Sequence, residues 1–297
     1  IARELKKTGP QLVNFRKKNK VAILLSLDSL RALEDMPFDG QVNYMTIAEQ
    51  FYTALYKLNV EADIIFPQRG NFADYGLLVV PPLYIASDAL LSQINDYIKG
   101  GGHVLMSFKS GFCNKYATVR WQTAPGPLRE AAGFSYQEFS NLRAPLKLKN
   151  DPFRAGQDNA VSVWAEFLVP EKAKPLAYYD HPIFGKFPAL TRNAFGKGTL
   201  TYEGTCLSDG LQEKVVIDTL KTAGIPFPDA ALPAKVRAKH GTLNDGRPAH
   251  AYFNFSAVPQ EFVYDRGAGA DIISSRAVAK GQRIRLAPWD LVFIREN

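Results

Sequence analysis

The sequence predicts an α/β protein: a mostly parallel sheet with helices on both faces, followed by a small antiparallel all-β sandwich domain. Three observations carry this. Short apolar runs such as "VAILL" and "LLVV" recur between polar residues, as strands buried on both faces do. Segments with helical periodicity separate them by short connections, the pattern of right-handed crossovers. Beyond a proline-rich stretch, "PFPDAALPAK", the helical patterns stop and only short alternating strands with Gly, Asn and Asp turns remain.

The elements follow in order. The opening "RELKKTGPQLVNFRKKNK" is basic and reads as a helix face running into a linker. "KVAILLSLDS" supplies the first strand. "VNYMTIAEQFYTALYKLNV" places Ile47, Phe51, Leu55 and Leu58 at helical spacing. "EADIIFP" is the second strand, and "YGLLVVPPLY" is the third, stopped by Pro81 and Pro82, which cannot continue a ladder. "SDALLSQINDYIKGGG" is a helix capped by Ser87 or Asp88 and ended by Gly100 to Gly102. "HVLMSF" is the fourth strand. "APGPLREAAG" reads as a short helix opened by proline, and "SVWAEFLV" and "PLAYYD" as strands. "SDGLQEKVVIDTLKTAGI" closes the unit as a helix, capped by Ser208 or Asp209 and stopped at Gly224. "KVRAKHGT", "PAHAYFNFS", "QEFVYD", "GADIISS", "QRIRLAP" and "WDLVFIRE" are the strands of the sandwich. The expected division is 1–19 as a preceding helix and linker, 20–228 as the α/β domain and 233–297 as the β domain.

Between two of these strands lies "GKG", Gly196 to Gly198. A phosphate-cradling Walker loop requires an earlier glycine where Thr191 stands, and Ser or Thr where Gly198 stands. It must also lead from strand into helix. "PALTRNAF" and "TLTYEGT" flank the turn as two strands, so a hairpin tip is expected. "GGGH" at Gly100 to His103 ends a helix rather than opening one, which excludes a dinucleotide fingerprint.

At 297 residues with 46% hydrophobic and 22% charged content, the chain is long enough to bury a core without staples. Its net charge of +7 comes largely from the opening segment, without the basic–aromatic interleaving of a nucleic-acid module. No apolar run is long enough to span a membrane. No nucleic-acid or membrane partner is therefore expected, and a cytoplasmic setting is favoured. The chain starts at Ile1, without a methionine, in what reads as mid-helix, so the absence of a signal peptide carries no weight.

Candidate chemistry is sparse. Cys113 and Cys206 are too far apart in sequence to form a framework or a zinc pair. Cys113, after a parallel strand, is similar in placement to the nucleophile of class I glutamine amidotransferases, but the elbow Gly-x-Cys-x-Gly is broken by Lys115. His103, His181, His240 and His250 are scattered without metal-ligand spacing. Glu166 and Glu203 on strands could form a glycosidase pair, although strand carboxylates more often face solvent or pair with arginine. Tyr252, Phe253 or Trp289 could stack on a sugar face, with core packing as the default. No catalytic residue, metal ligand or cofactor is assigned.

"KVAILLSLDSLRALE", "FYTALYKLNVEADII", "YGLLVVPPLYIAS" and "YIKGGGHVLMSFKSG" resemble, in this order, the middle region of family 42 glycoside hydrolases, the bacterial β-galactosidases. "APGPLREAAGFSYQEF", "VWAEFL" and "PALTRNAFGKGTLTYEGT" continue the resemblance, and "LAPWDLVFI" resembles the end of that family's C-terminal β domain. "RELKKTGPQLVNFRKK" looks like the last helix of the family's catalytic barrel. The resemblance implies a flavodoxin-like, class I glutamine amidotransferase-like domain that has lost the nucleophile and mediates trimerisation. It also implies that the acid/base and nucleophile glutamates, and any metal-binding cysteines, belong to a preceding (β/α)₈ barrel that this chain does not contain. The expected partners are further copies of the chain in a homotrimer, and a galactoside met only through the barrel. An apolar surface around Tyr44, Phe51 and Tyr52 is the expected oligomer interface.

Overall fold

The computed structural model describes residues 2–38, 42–68 and 71–297. The chain divides into two compact units: Lys20–Tyr56 with Ala62–Pro226, and Ile1–Asn19 with Lys57–Glu61 and Phe227–Asn297. Helix α1 (Ala2–Leu12) opens the chain and belongs to the second of these.

The larger unit runs β1 (Val21–Leu24), α2 (Leu27–Asp35), α3 (Tyr44–Lys57), β2 (Ala62–Ile65), β3 (Leu77–Val80), α4 (Asp88–Gly100) and β4 (His103–Ser107). It continues with α5 (Arg129–Ala132), β5 (Phe134–Ser135), β6 (Phe139–Leu146), β7 (Val161–Glu166), β8 (Val169–Pro170), β9 (Lys174–Tyr178), β10 (Pro188–Phe195), β11 (Gly198–Glu203), β12 (Thr205–Leu207) and α6 (Asp209–Thr222). Seven strands form the main sheet in the order β2-β1-β3-β4-β11-β10-β9. The first five are mutually parallel, and β10 and β9 extend the edge antiparallel. A three-stranded sheet, β12-β7-β6, and the short β5–β8 pair complete the unit.

The apolar runs behave as their composition dictates. Ala22, Leu24, Leu78, Val80, Val104 and Met106 pack in one core cluster with Leu91, Ile94 and Ile98 of α4. The alternate residues Val21, Ile23, Leu77, Val79 and Leu105 are equally enclosed, so the sheet is covered on both faces. Each such side chain contributes about 1.5–3 kcal/mol of burial free energy. Ser87 is the cap of α4, its Oγ accepting the Leu90 N–H at 3.2 Å, and Gly101 ends the helix at φ 119°. Ser208 caps α6 in the same way.

Gly196–Lys197 is the two-residue turn of the β10–β11 hairpin, with Phe195 paired to Gly198. Gly196 has φ 63°, as a tight hairpin turn demands. At Gly198 a Cβ atom would lie 1.9 Å from the Gly102 carbonyl oxygen, so both glycines are required by the seat of the hairpin tip against the end of α4.

The smaller unit comprises β13 (Val236–Thr242), β14 (Pro248–Asn254), β15 (Gln260–Val263), β16 (Gly269–Asp271), β17 (Ala277–Val278), β18 (Arg283–Leu286) and β19 (Leu291–Glu296). Five form the antiparallel sheet β13-β14-β19-β16-β17, and β15 pairs with β18. Val236, Ala238, Tyr252, Phe262, Tyr264, Ile284, Leu286 and Ile294 are in its core. The chain is thus a mixed α/β unit with a parallel-containing sheet and a separate antiparallel β unit.

Candidate functional site

The chemically richest place in the larger unit is the carboxyl end of β4, β7 and β11. After Ser107 the chain turns sharply through Lys109 (φ 57°) and Gly111 (φ 73°). A Cβ at Gly111 would meet the Pro125 carbonyl at 2.8 Å, so the turn admits no side chain there. The turn delivers the Lys109 backbone N–H to Glu166 Oε1 at 2.8 Å. Tyr202 donates its hydroxyl to Glu166 Oε2 at 2.8 Å, and Trp164 Nε1 donates to Oε1 at 3.4 Å. Tyr179 donates toward the backbone carbonyls of Glu166 and Gly204. Burial pushes the Glu166 carboxyl up to about 7, against the opposing pull of Lys109 N–H, Tyr202, Tyr136 and Trp164.

The Lys109 ammonium lies among the rings of Phe38, Tyr84 and Trp164, with Nζ 4.3 Å from the Trp164 centroid. Burial lowers its pKa, while Glu166 and the Cys113 thiol pull it back up. Glu203 is the second enclosed carboxyl. Its Oε1 accepts from Gln212 Nε2 at 2.7 Å, and burial pushes it up to about 8. The expectation that these glutamates face solvent or pair with arginine is therefore corrected: both are fully enclosed and held by neutral donors. Neither has the open approach a glycosidic oxygen requires.

Above this buried knot sits a braced loop. Asn114 Oδ1 accepts the N–H groups of Tyr116 and Thr118, at 2.9 and 3.2 Å. The Arg120 guanidinium pairs with Asp88 and donates to the Ala86 carbonyl at 2.7 Å. Cys113 N–H donates to the Tyr84 carbonyl at 2.8 Å. From this frame Trp121 projects 91% exposed, with Tyr116 at 74%. Trp121, Phe112 and Phe139 line a shallow groove of ≈ 260 Å³. Phe139 in turn stacks on Trp164 at 4.5 Å, linking the exposed groove to the enclosed knot.

The other residues singled out by sequence are dispersed. Tyr44 and Phe51 are in the core; the Tyr44 hydroxyl accepts the Ser26 N–H at 2.8 Å, and burial raises its pKa to about 12 against that hydrogen bond. Tyr52 is exposed and stacks on Tyr56 with centroids 6.0 Å apart, so it is the member of the Tyr44, Phe51, Tyr52 set that presents surface. Cys113 and Cys206 are buried thiols, not joined in a disulfide. His103 Nδ1 meets Thr199 Oγ1 at 2.8 Å, and His181 Nδ1 accepts two backbone N–H groups. His240 and His250 lie in the smaller unit, on β13 and β14. Tyr252 is in the core there, Phe253 stacks on Phe255 and Trp289 is exposed. Among the described residues, no group of three or more His, Cys, Asp or Glu could hold a metal ion, and no helix is long and apolar enough to cross a membrane. Sequence reasoning missed Lys109 and the Trp121 loop as a site. The only local signal was "SFKSGFCNKYATVRW", a long unpatterned segment directly after a buried strand.

Comparison with known proteins gives the family of the chain. A β-galactosidase LacZ of Lactobacillus acidophilus is 31% identical over 210 residues, covering 70% of this chain and 31% of the relative. A β-galactosidase Bga of Halorubrum lacusprofundi is 30% identical, covering 73% of this chain and 32% of the relative. The chain thus spans about a third of the length of the curated relatives it matches. Among solved structures, a β-galactosidase from Bacillus circulans sp. alkalophilus superposes with a TM-score of 0.90 at 20% identity, over 99% of this chain and 44% of the other. The β-galactosidase from the haloarchaeon Halorubrum lacusprofundi superposes with a TM-score of 0.80 at 26% identity, over 99% and 42%. The family model of the β-galactosidase trimerisation domain matches residues 19–226, and the chain belongs to that family, the trimerisation domain of family 42 β-galactosidases.

Proposed function

We propose that this chain is the non-catalytic assembly portion of a bacterial β-galactosidase that hydrolyses terminal β-D-galactosides with retention, its two catalytic glutamates residing on a barrel outside this chain. One observation carries the reading. The larger unit seals its carboxylates, with Glu166 and Glu203 fully buried, while a braced loop holds Trp121 out in solvent. Reactive groups are withdrawn and aromatic surface is offered, which suits association rather than bond cleavage.

In this reading the 20–228 region is a flavodoxin-like, amidotransferase-like domain. The order of its five parallel strands, β2-β1-β3-β4-β11, supports this. The 233–297 region is a small β-sandwich, and 1–19 is the helix and linker leaving the barrel. The chain assembles as a homotrimer. Closed threefold symmetry requires one patch to meet a different patch. Two exposed aromatic clusters of the larger unit answer that need: Tyr116 and Trp121 on the loop, and the Tyr52–Tyr56 stack on α3. The amidotransferase alternative requires an accessible thiolate, whereas Cys113 has no exposed surface. The test is to incubate the purified chain with an aryl β-galactoside and, separately, to compare self-association of the wild type with Trp121→Ser. The expected results are no turnover, and weakened association with unchanged melting. Turnover by the chain, or no self-association at any concentration, overturns the reading.

A further inference from the structure

The smaller unit contains a four-residue hydrogen-bonded chain that the assembly function does not use. His240 on β13 and His250 on β14 are cross-strand partners, and their Nδ1 atoms approach to 2.8 Å. The outer nitrogen of each ring reaches a carboxylate: His240 Nε2 lies 3.0 Å from Asp229 Oδ2, and His250 Nε2 lies 3.0 Å from Glu296 Oε1. Asp229 also receives Arg266 at 2.7 Å, and Glu296 Oε1 receives the Gly267 N–H at 2.7 Å.

The proton count follows from the geometry. Ionised carboxylates only accept, so both outer nitrogens carry protons. Two nitrogens at hydrogen-bond distance hold one proton between them. Two rings therefore carry three protons, one more than two neutral imidazoles. We propose that His240 and His250 share one excess proton at neutral pH, forming a latch that ties β13, β14, β19 and the 228–231 turn together only within a bounded pH range. With that proton, the two carboxylates are balanced by one imidazolium and the Arg266 guanidinium. Adding a further proton sets two N–H groups against each other. Removing the shared one leaves two lone pairs in contact, or turns an outer lone pair toward a carboxylate.

Burial lowers the pKa of His250; Glu296 opposes this, and the His240 and Arg266 charges add to it. Burial pushes the Asp229 carboxyl up, but His240 and Arg266 outweigh it and hold the group below its usual range. Glu296 is likewise lowered, burial being outweighed by His250, the Gly267 N–H and Arg266. The other groups facing the pair are Tyr252, Tyr264, Asp265 beside Arg266, and Glu61, which accepts the His240 backbone N–H at 3.4 Å and pairs with Lys17 and Lys239. The phenols are raised by burial and stay neutral across the range concerned.

Long-range ¹H–¹⁵N imidazole spectra of the labelled full chain between about pH 5 and 9 test this. The expected result near pH 7.5 is one doubly protonated ring beside one singly protonated ring, with the two rings losing the shared proton in a single coupled step. Glu296→Gln keeps an acceptor oxygen but removes a charge, so it should lower the pH of that step by about one unit. Asp229→Asn, read in the same way, should shift it in the same direction. Two singly protonated rings near pH 7.5, titrating independently, overturn the latch. So does a titration that neither variant moves, whether or not the wild type melts at a pH-dependent temperature.

Discussion

Tyr202 donates its phenolic hydroxyl to Glu166 at 2.8 Å, binding β11 of the main sheet to β7 of the three-stranded sheet through a carboxylate that no solvent reaches. The Lys109 N–H at the end of β4 bonds the same group. Three elements distant in sequence thus converge on one side chain. The carboxylate acts as a structural fastening, and its protonation state should govern how well the fastening holds.

That gives a pH dependence with a definite sign. Burial raises Glu166 to about 7 from its ordinary 4.5, so the folded unit binds its proton more tightly than the unfolded chain. Its stabilising contribution is fully present below pH ~4.5 and is lost as pH rises through about 7. Glu203, raised to about 8, adds to the loss over a slightly higher window. Glu166→Gln should remove its share, shifting the stability difference between pH 5 and 9 by on the order of 3 kcal/mol. Urea midpoints of both proteins across that range check it; parallel profiles would show that Glu166 stays ionised.

Gly198→Ala should destabilise the larger unit by about 1–3 kcal/mol or more, because the new methyl meets backbone rather than a yielding side chain. Its nearest neighbour is the Gly102 carbonyl oxygen. A denaturant midpoint equal to that of the wild type would mean that the hairpin tip does not rest on the end of α4.

Cys113 and Cys206 should resist a mild aromatic disulfide reagent in the native protein and react together on unfolding, since both thiols are buried. Cys113→Ala should leave the chain folded, with association unchanged. Rapid native modification of Cys113 would restore it as a candidate nucleophile.

Much of the fold was written locally. Val21–Leu24 and Leu77–Val80 read as buried strands because enclosure on both faces demands continuous apolar runs. The ends of α4 were legible from Ser87 and the glycine triplet for the same local reason: a cap and a stop act within one turn. Helix α2 was missed because its cap, Ser26, follows β1 almost directly, so "LLSLDSLRAL" merges strand and helix into one apolar stretch. Strand β6 was missed because most of it is exposed, and Arg143 and Pro145 break its alternation. The burial of Glu166 had no local signal at all. Residues 163 and 164 bulge out of the β12–β7 register, with Val163 at φ 69°, so strand alternation does not tell which way the glutamate faces. Its partners Lys109 and Tyr202 come from 57 and 36 residues away. Which of Tyr44, Phe51 and Tyr52 reach the surface was not legible, because an apolar helix sequence does not mark where its buried face ends: Tyr44 and Phe51 are buried and Tyr52 is exposed.

Trp121 should matter to association more than any other exposed side chain of the larger unit. A 91% exposed indole on a loop fixed by Asn114 and Arg120 loses little freedom on docking. Trp121→Ser is expected to raise the concentration needed for assembly at least tenfold, and Tyr52→Ser should do so to a lesser degree, both seen by light scattering over a dilution series. Equal association in all three proteins would move the interface elsewhere.

The proposed function rests on self-association of this chain. Sedimentation equilibrium of the purified 33.0 kDa chain measures it. The expected result is a concentration-dependent approach to three times the chain mass, reversed by Trp121→Ser. A chain that stays monomeric at every concentration, with the wild type and the variant indistinguishable, would contradict it.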